Sequence, residues 1–254
     1  MKNEIIVIGS GTAIPSRNHS PASILLKTNG FLALLDLGPG TLSKLPYFYV
    51  DVYTIENIFI THFHPDHTLD LATFFLISDY GTRQRNGLNL NLFGPIGLTN
   101  FVKQFMLNFP DIIFPSHPIK YIEMSETQTN IMGIQISSIL SGHTSNSISY
   151  RFEFNHFSVV YTGDCVYTKK LEDFCNKADV LICECSYPEN WQTSDHMTSR
   201  EVGMIANNSN VKRLVITHMY PPALEVDIKT QISNYYAGDI LLATDGDRII
   251  FENE

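Results

Sequence analysis

The sequence predicts an α/β protein in which two sheets pack face to face with helices on the outside. Three observations predict it. Apolar runs of strand length recur along the whole chain, with Gly, Pro, Asn or Asp between them. These runs fall into two blocks, each followed by helical patterns, and two such blocks bury their apolar faces best against each other. No stretch of about 18 apolar residues occurs, which sets aside a membrane-spanning helix.

The first block reads as strands at Glu4–Ile8, Ser23–Thr28, Phe31–Leu37 and Asn57–Thr61, then a helix at Leu69–Asp79, a strand at Asn89–Phe93 and a helix at Leu98–Asn108. The second gives strands at Lys120–Glu123, Gly133–Ile139, Ser147–Phe154 and Ser158–Thr162, a helix at Lys169–Lys177 and a strand at Val180–Cys185. A helix at Ser199–Asn207 opens on Thr198-Ser199-Arg200-Glu201, a capping-box pattern. A strand at Arg213–Thr217, a helix at Asp227–Tyr235 and a terminal hairpin follow; the hairpin pairs Ile240–Thr244 with Arg248–Phe251 through Asp245-Gly246-Asp247. The polar segment Ser125–Asn130 reads as a turn and a weak division within one 1–254 domain. The apolar-aromatic helices around Phe74-Phe75-Leu76, Phe101 and Phe105 suit either core or a dimer face.

Composition narrows the function. With 17 basic and 26 acidic residues the formal charge is −9, and no strong Lys/Arg cluster appears, which disfavours a long nucleic acid as partner. The apolar start Ile5-Ile6-Val7-Ile8 lacks a cleavage pattern and reads as a strand rather than a signal peptide, so a cytoplasmic location is expected. Cys165, Cys175, Cys183 and Cys185 fit no paired CxxC spacing and read as small buried apolar residues. Gly9-Ser10-Gly11 is followed by no helical pattern, which excludes a dinucleotide fingerprint.

The segment Ile60-Thr61-His62-Phe63-His64-Pro65-Asp66-His67 carries the chemistry. His62 and His64 project the same way from extended backbone, Pro65 turns the chain, and Asp66 and His67 face a neighbouring position. Three imidazoles and a carboxylate at a strand end are a donor set for zinc-class ions, one ion for each pair.

Here the sequence resembles the metallo-β-lactamase superfamily, with its HxHxDH signature. Gly142-His143, Tyr161-Thr162-Gly163-Asp164 and Ile216-Thr217-His218 match its later motifs, in order and each after an apolar strand. The resemblance implies an αββα sandwich of two mixed sheets flanked by helices. It implies that His62, His64 and His143 hold one divalent ion and that Asp66, His67 and His218 hold a second, with Asp164 bridging. The ions would be Zn2+, with Mn2+ or Fe2+ as alternatives, and would share a hydroxide that cleaves an ester. His19, His117 and His156 lack such support and read as surface or supporting groups.

Within the superfamily the chain is similar to the ribonuclease Z branch. Gly9-Ser10-Gly11-Thr12 with Pro15, Arg17-Asn18 and Ser23, and the turn Asp36-Leu37-Gly38-Pro39-Gly40-Thr41, match its glycine-rich segments. Cys183-Glu184-Cys185-Ser186 lies where that branch has H-E-A-T, and His196-Met197-Thr198 where it has H-x-T. The resemblance implies that Glu184 orients His196, which serves the phosphate; Asp66, His196 and Glu184 form the catalytic set. The chain departs from the branch at Cys183, at Cys165, and in the interval Arg151–Tyr161. There a short turn at Asn155-His156 replaces the helical arm that holds tRNA. A small phosphodiester or short RNA is therefore the expected substrate, and a homodimer is a possibility that rests mostly on the resemblance.

Competing expectations are hydrolysis of another bond (lactone, thioester, sulfate ester or β-lactam), an oxygen-reducing di-iron protein, and a non-catalytic metal-binding module. Glu184 and His196 favour phosphodiesters over the first. His64, where di-iron relatives carry a carboxylate, argues against the second, and the intact ligand series argues against the third.

Overall fold

The computed structural model describes residues 3–28, 30–78, 89–110 and 118–251. Two seven-stranded sheets, counted among the described residues, stack with helices on their outer faces. The first runs β14-β1-β2-β3-β4-β5-β6, with β1 at Asn3–Gly9, β2 at Ser23–Thr28, β3 at Phe31–Leu35, β4 at Asn57–Phe59, β5 at Leu90–Pro95, β6 at Ile119–Met124 and β14 at Arg248–Phe251. The second runs β13-β12-β11-β10-β9-β8-β7, with β7 at Gln128–Ile131, β8 at Ile134–Leu140, β9 at Ile148–Glu153, β10 at Ser158–Tyr161, β11 at Val180–Glu184, β12 at Arg213–Thr217 and β13 at Asp239–Leu242. Both sheets are mixed: β3 to β6 and β10 to β13 run parallel and the remaining pairs antiparallel.

The interior between the sheets joins Ile5, Val7, Phe59 and Phe93 of the first to Tyr150, Phe152, Ile182 and Val215 of the second. Phe59 stacks on Phe93 at 4.2 Å and meets Tyr150 and Phe152 edge-on. Each such ring contributes roughly 1.5–3 kcal/mol by leaving water. Helices α3 (Asp70–Ser78) and α4 (Leu98–Met106) cover the first sheet; α5 (Lys169–Phe174), α6 (Ser199–Asn208) and α8 (Ile228–Ser233) cover the second. Phe74 and Phe75 are fully buried in the first of these layers, so they are core. The capping box on α6 forms as expected: Thr198 caps Glu201 and Glu201 returns to Thr198. Among the described residues three short α-helices were not expected: α1 (Thr41–Lys44), α2 (Pro65–Thr68) and α7 (Pro221–Leu224). Among the described residues no helix is long and apolar enough to cross a membrane.

Several expectations need correction. The terminal hairpin is not formed: β13 pairs with β12 in the second sheet, while β14 pairs with β1 in the first. Residues 243–247 therefore cross between sheets. The polar segment at Ser125–Asn130 is a turn only at its start, since Gln128 opens β7, whose side chains alternate between exposed and half-buried. The chain still passes there from β6 of the first sheet to β7 of the second, and only β14 returns to the first. The helix expected at Leu69–Asp79 forms as α3; the unexpected α2 precedes it, opened by Pro65 at the first helical position, and Leu69 joins the two. Asp79 and His117 lie outside the described residues.

The crossing segment has a second task. The Asp245 carboxylate accepts hydrogen bonds from the Ser10 amide and hydroxyl, the Ser20 amide and the Lys44 ammonium, and so pins the loop after β1. Burial alone would raise the Asp245 pKa, but Lys44 and these amides outweigh it and hold the carboxyl below the usual range. A depressed folded-state pKa gives stability that is full above the ordinary aspartate value of about 3.9 and lost as pH falls through the folded value. Asp245→Asn is thus expected to cost about 1–2 kcal/mol at neutral pH, allowing for solvent screening at its partly exposed rim. The gap between variant and parent in thermal melts should close as the buffer is acidified below that value.

Candidate metal centre

The loops that leave β3, β4, β10, β11 and β12 meet at one end of the sandwich, at the carboxyl ends of parallel strands. Ligand sites in open α/β sheets gather at such ends. Ile148 donates its amide to the Thr61 carbonyl, and the Tyr150 hydroxyl donates to the Ile60 carbonyl, so the two sheets are stitched together where the site lies.

All seven residues proposed as ligands converge there. Ligand-capable atoms of His62, His64, His143 and Asp164 lie within 4.8 Å of one another, as do those of Asp66, His67 and His218. Asp164 faces both groups. Its Oδ1 is 3.3 Å from His67 Nε2 and 3.3 Å from His218 Nε2; its Oδ2 is 3.7 Å from His62 Nε2 and 3.6 Å from His143 Nε2. Asp66 Oδ2 lies 3.5 Å from His218 Nε2. His64 Nδ1 and His143 Nε2 point at each other across 3.2 Å.

The outward nitrogens of these rings have partners. His67 Nδ1 bonds the Asp36 carboxylate at 2.7 Å, His143 Nδ1 donates to the Asp195 carbonyl at 2.6 Å, and His62 Nδ1 meets the Thr61 hydroxyl at 3.1 Å. A proton held outward leaves a lone pair on the inward nitrogen, the state a metal ligand needs. Inward, His62 Nε2, His67 Nε2, His218 Nε2 and Asp164 Oδ1 are buried with no hydrogen-bond partner. Four orphaned polar atoms aimed at one another cost several kcal/mol unless something positive lies between them. The donor set of imidazoles and carboxylates fits zinc-class cations.

Electrostatics agree with that fit. Burial, reinforced by His67, lowers the His62 pKa well below the ordinary value and keeps the ring neutral. Burial works against a low Asp164 pKa, but His218, His67 and His62 outweigh it and hold the carboxyl well below the usual range. Burial likewise opposes charge on His67, yet Asp164 and Asp36 raise its pKa, so a cation entering here displaces a proton.

Glu184 and His196 stand beside the cluster. Glu184 accepts from His196 Nδ1 at 3.0 Å, from the Cys165 amide at 2.6 Å and from the Ser186 hydroxyl at 2.5 Å. One carboxylate thus ties His196 to the backbone next to Asp164 and to Ser186, whose hydroxyl approaches His218 Nδ1 at 3.4 Å. Burial opposes charge on His196, and Glu184 outweighs it, moving the pKa up to about 9. Further groupings of His143 with Asp195 and His196, and of Asp164 with His196 and His218, put His196 at the mouth of the cluster.

A family model described as Beta-lactamase superfamily domain matches residues 33–219, most of the chain and all of these loops. The chain belongs to the metallo-β-lactamase superfamily. It is 25% identical to a ribonuclease Z from Thermococcus sibiricus, over 86% of each chain, and 24% identical to the probable metallo-hydrolase YhfI of Bacillus subtilis, over 96% of this chain and 98% of that one. In fold it is similar to the crystal structure of YhfI (TM-score 0.81, 22% identity, covering 99% and 100% of the two chains). The short form of human tRNase Z is also similar (TM-score 0.76, 22% identity, 97% and 98%). With these relatives the chain is a metal-dependent hydrolase of the superfamily.

Two features of this superfamily member escaped the sequence reading. Asp36 is fully buried, and its carboxylate gathers the Thr61 amide (2.8 Å), the Tyr161 hydroxyl (2.8 Å) and His67 Nδ1. Only its place in the D-x-G-x-G-T turn hinted at a task. Its φ of 58° ends β3 two residues before the expected Leu37. Gly38 beyond it passes so close to α2 that a Cβ there would stand 2.3 Å from the Asp66 carbonyl oxygen. The second feature is aromatic: Tyr220 and Tyr187 pack edge-on to His196 at 5.5 and 6.2 Å. His19 is a supporting group, its Nδ1 2.8 Å from the Ser10 hydroxyl, and His156 is exposed on a turn. The four cysteines are buried and free.

Proposed function

We propose that this chain is a phosphodiesterase that works with two zinc-class ions on small phosphodiesters or short RNA. The observation that carries the reading is the set of orphaned, buried, inward-facing donor atoms with the Glu184–His196 pair beside it. His62, His64 and His143 would hold one ion and Asp66, His67 and His218 the other, with Asp164 reaching both. Zinc suits the donors best, and Mn2+ or Fe2+ could replace it. Divalent cations bound there lower the pKa of water and neutralise charge that builds on a phosphoryl oxygen.

The chain's own groups do the rest. Asp36 and the Asp195 carbonyl fix the tautomers of His67 and His143. Asp66, in the first turn of α2, sets a negative charge against His218. His196 holds a proton that Glu184 stabilises, and it can pass that proton from Nε2 to a leaving oxygen.

Substrate size follows from the β9–β10 connection. Phe154 donates its amide to the Phe157 carbonyl across a tight turn, leaving no arm between these strands to grip a tRNA body. Residues 1–254 are taken as one catalytic domain, supported by the interior that both sheets share. A cytoplasmic location and a homodimer belong to the same reading.

The test is metal analysis of purified protein, turnover of bis(p-nitrophenyl) phosphate, and a screen of cyclic nucleotides, dinucleotides and precursor tRNA. Chelator-sensitive phosphodiesterase activity with about two ions per chain is expected. His196→Ala should slow turnover roughly a hundredfold without emptying the centre. A chelator-sensitive esterase that leaves every phosphodiester intact would overturn the reading.

A further inference from the structure

The rings beside His196 extend outward as a ladder. Tyr220 and Tyr187 stack at 5.5 Å and 9° between planes, and Tyr187 and Trp191 stack at 5.1 Å and 3°. The inner end touches the centre, because Tyr220 packs edge-on to both His196 and His218 at 5.5 and 5.6 Å. The outer end is Trp191, 47% exposed. Backbone bonds hold the ladder in place: Tyr187 N–H donates to the Met197 carbonyl, Ser199 N–H to the Tyr187 carbonyl, Tyr220 N–H to the Ser186 carbonyl and Trp191 N–H to the Pro188 carbonyl.

A cavity of about 420 Å³ opens against these rings, lined by Tyr187, Trp191, Gln192, Thr193, Ser194 and Asp195. Asp195 links this lining to the centre, because its carbonyl accepts from His143 Nδ1. The lining has planar apolar walls, amide and hydroxyl groups, one carboxylate, and no Lys or Arg. Such a lining repels a phosphate and accepts a neutral planar ring with hydrogen-bonding edges. We infer that this cavity is a nucleobase subsite, in which Trp191 stacks on the base of a nucleotide adjoining the scissile phosphate. The inference deepens the phosphodiesterase reading and names its substrates as nucleotide esters. Gln192, Thr193 and Ser194 meet the base edge, and stacking tolerates any base.

Trp191 is the sole tryptophan of the chain and so reports on the subsite by its own fluorescence. Adenosine 5′-monophosphate should quench that emission saturably, and ribose 5-phosphate should not. Absence of quenching, or equal quenching by both, overturns the subsite. In the kinetic arm, Trp191→Ala should lower the preference (the ratio of kcat/KM) for thymidine 5′-(p-nitrophenyl) phosphate over methyl p-nitrophenyl phosphate about tenfold, equivalent to about 1.4 kcal/mol. Trp191→Phe should restore most of it. An unchanged ratio would also overturn the proposal. Failure of the phosphodiesterase reading shows itself separately, as no turnover of either ester by the parent enzyme, and the quenching measurement still decides whether a base binds.

Discussion

Replacing Asp164 by asparagine is expected to cost roughly a thousandfold in turnover, about 4 kcal/mol of barrier, and to deplete the centre of metal. Its two oxygens lie 3.3–3.7 Å from four different imidazoles, two from each donor group. An amide of the same shape carries no charge and turns an N–H toward lone pairs that need a cation. Folding should survive, because asparagine keeps the shape of the side chain and leaves the apolar interior shared by the two sheets untouched. Metal analysis, turnover and a melting curve on one preparation separate the effects. A variant that keeps its metal and its rate would place the ions elsewhere.

Asp36→Ala should give the largest loss of stability, about 3–5 kcal/mol, the usual cost of removing one partner from a buried charged network. The Thr61 amide, the Tyr161 hydroxyl and His67 would each lose their acceptor. Alanine also carries a Cβ at a φ of 58°, where asparagine and aspartate sit more easily. Asp36→Asn therefore isolates the charge. It should fold, yet weaken metal affinity by roughly 10–100-fold, because His67 loses the partner that orients it. Urea unfolding and a competitive zinc titration read the two variants; unchanged affinity in Asp36→Asn would show that His67 needs no such support.

Asp36 also marks the limit of what the amino-acid pattern reveals. His62, His64, Asp66 and His67 were legible because four donor side chains in six positions leave a local signature. His143, Asp164 and His218 were legible only as a series, each following an apolar strand, and needed the family resemblance. A solitary aspartate in a glycine-rich turn has no such pattern; burial by Thr61, Tyr161 and His67 from distant elements gives it its role. The same reasoning explains the misread hairpin. Asp245-Gly246-Asp247 between two apolar runs carries the local marks of a two-strand turn, but pairing is decided by β1 and β12, more than two hundred residues away in one case. β7 was missed for the opposite reason: Gln128–Ile131 is mostly polar, and only the register with β8 makes it a strand. The aromatic ladder left no signature because Tyr187 and Tyr220 come from separate loops.

The placement of β14 beside β1 has a consequence for biogenesis. During synthesis at about 5–20 residues per second, the first strand leaves the ribosome long before its neighbour exists. Until residues 245–251 follow, one flank of β1 stays unpaired and the Ser10 loop, whose carbonyl receives the His218 amide, lacks its anchor. Completion of the cradle thus waits on late events in translation, and a ribosome stalled just before Asp245 would carry a nascent chain with all seven donor side chains made and the Ser10 loop still unanchored.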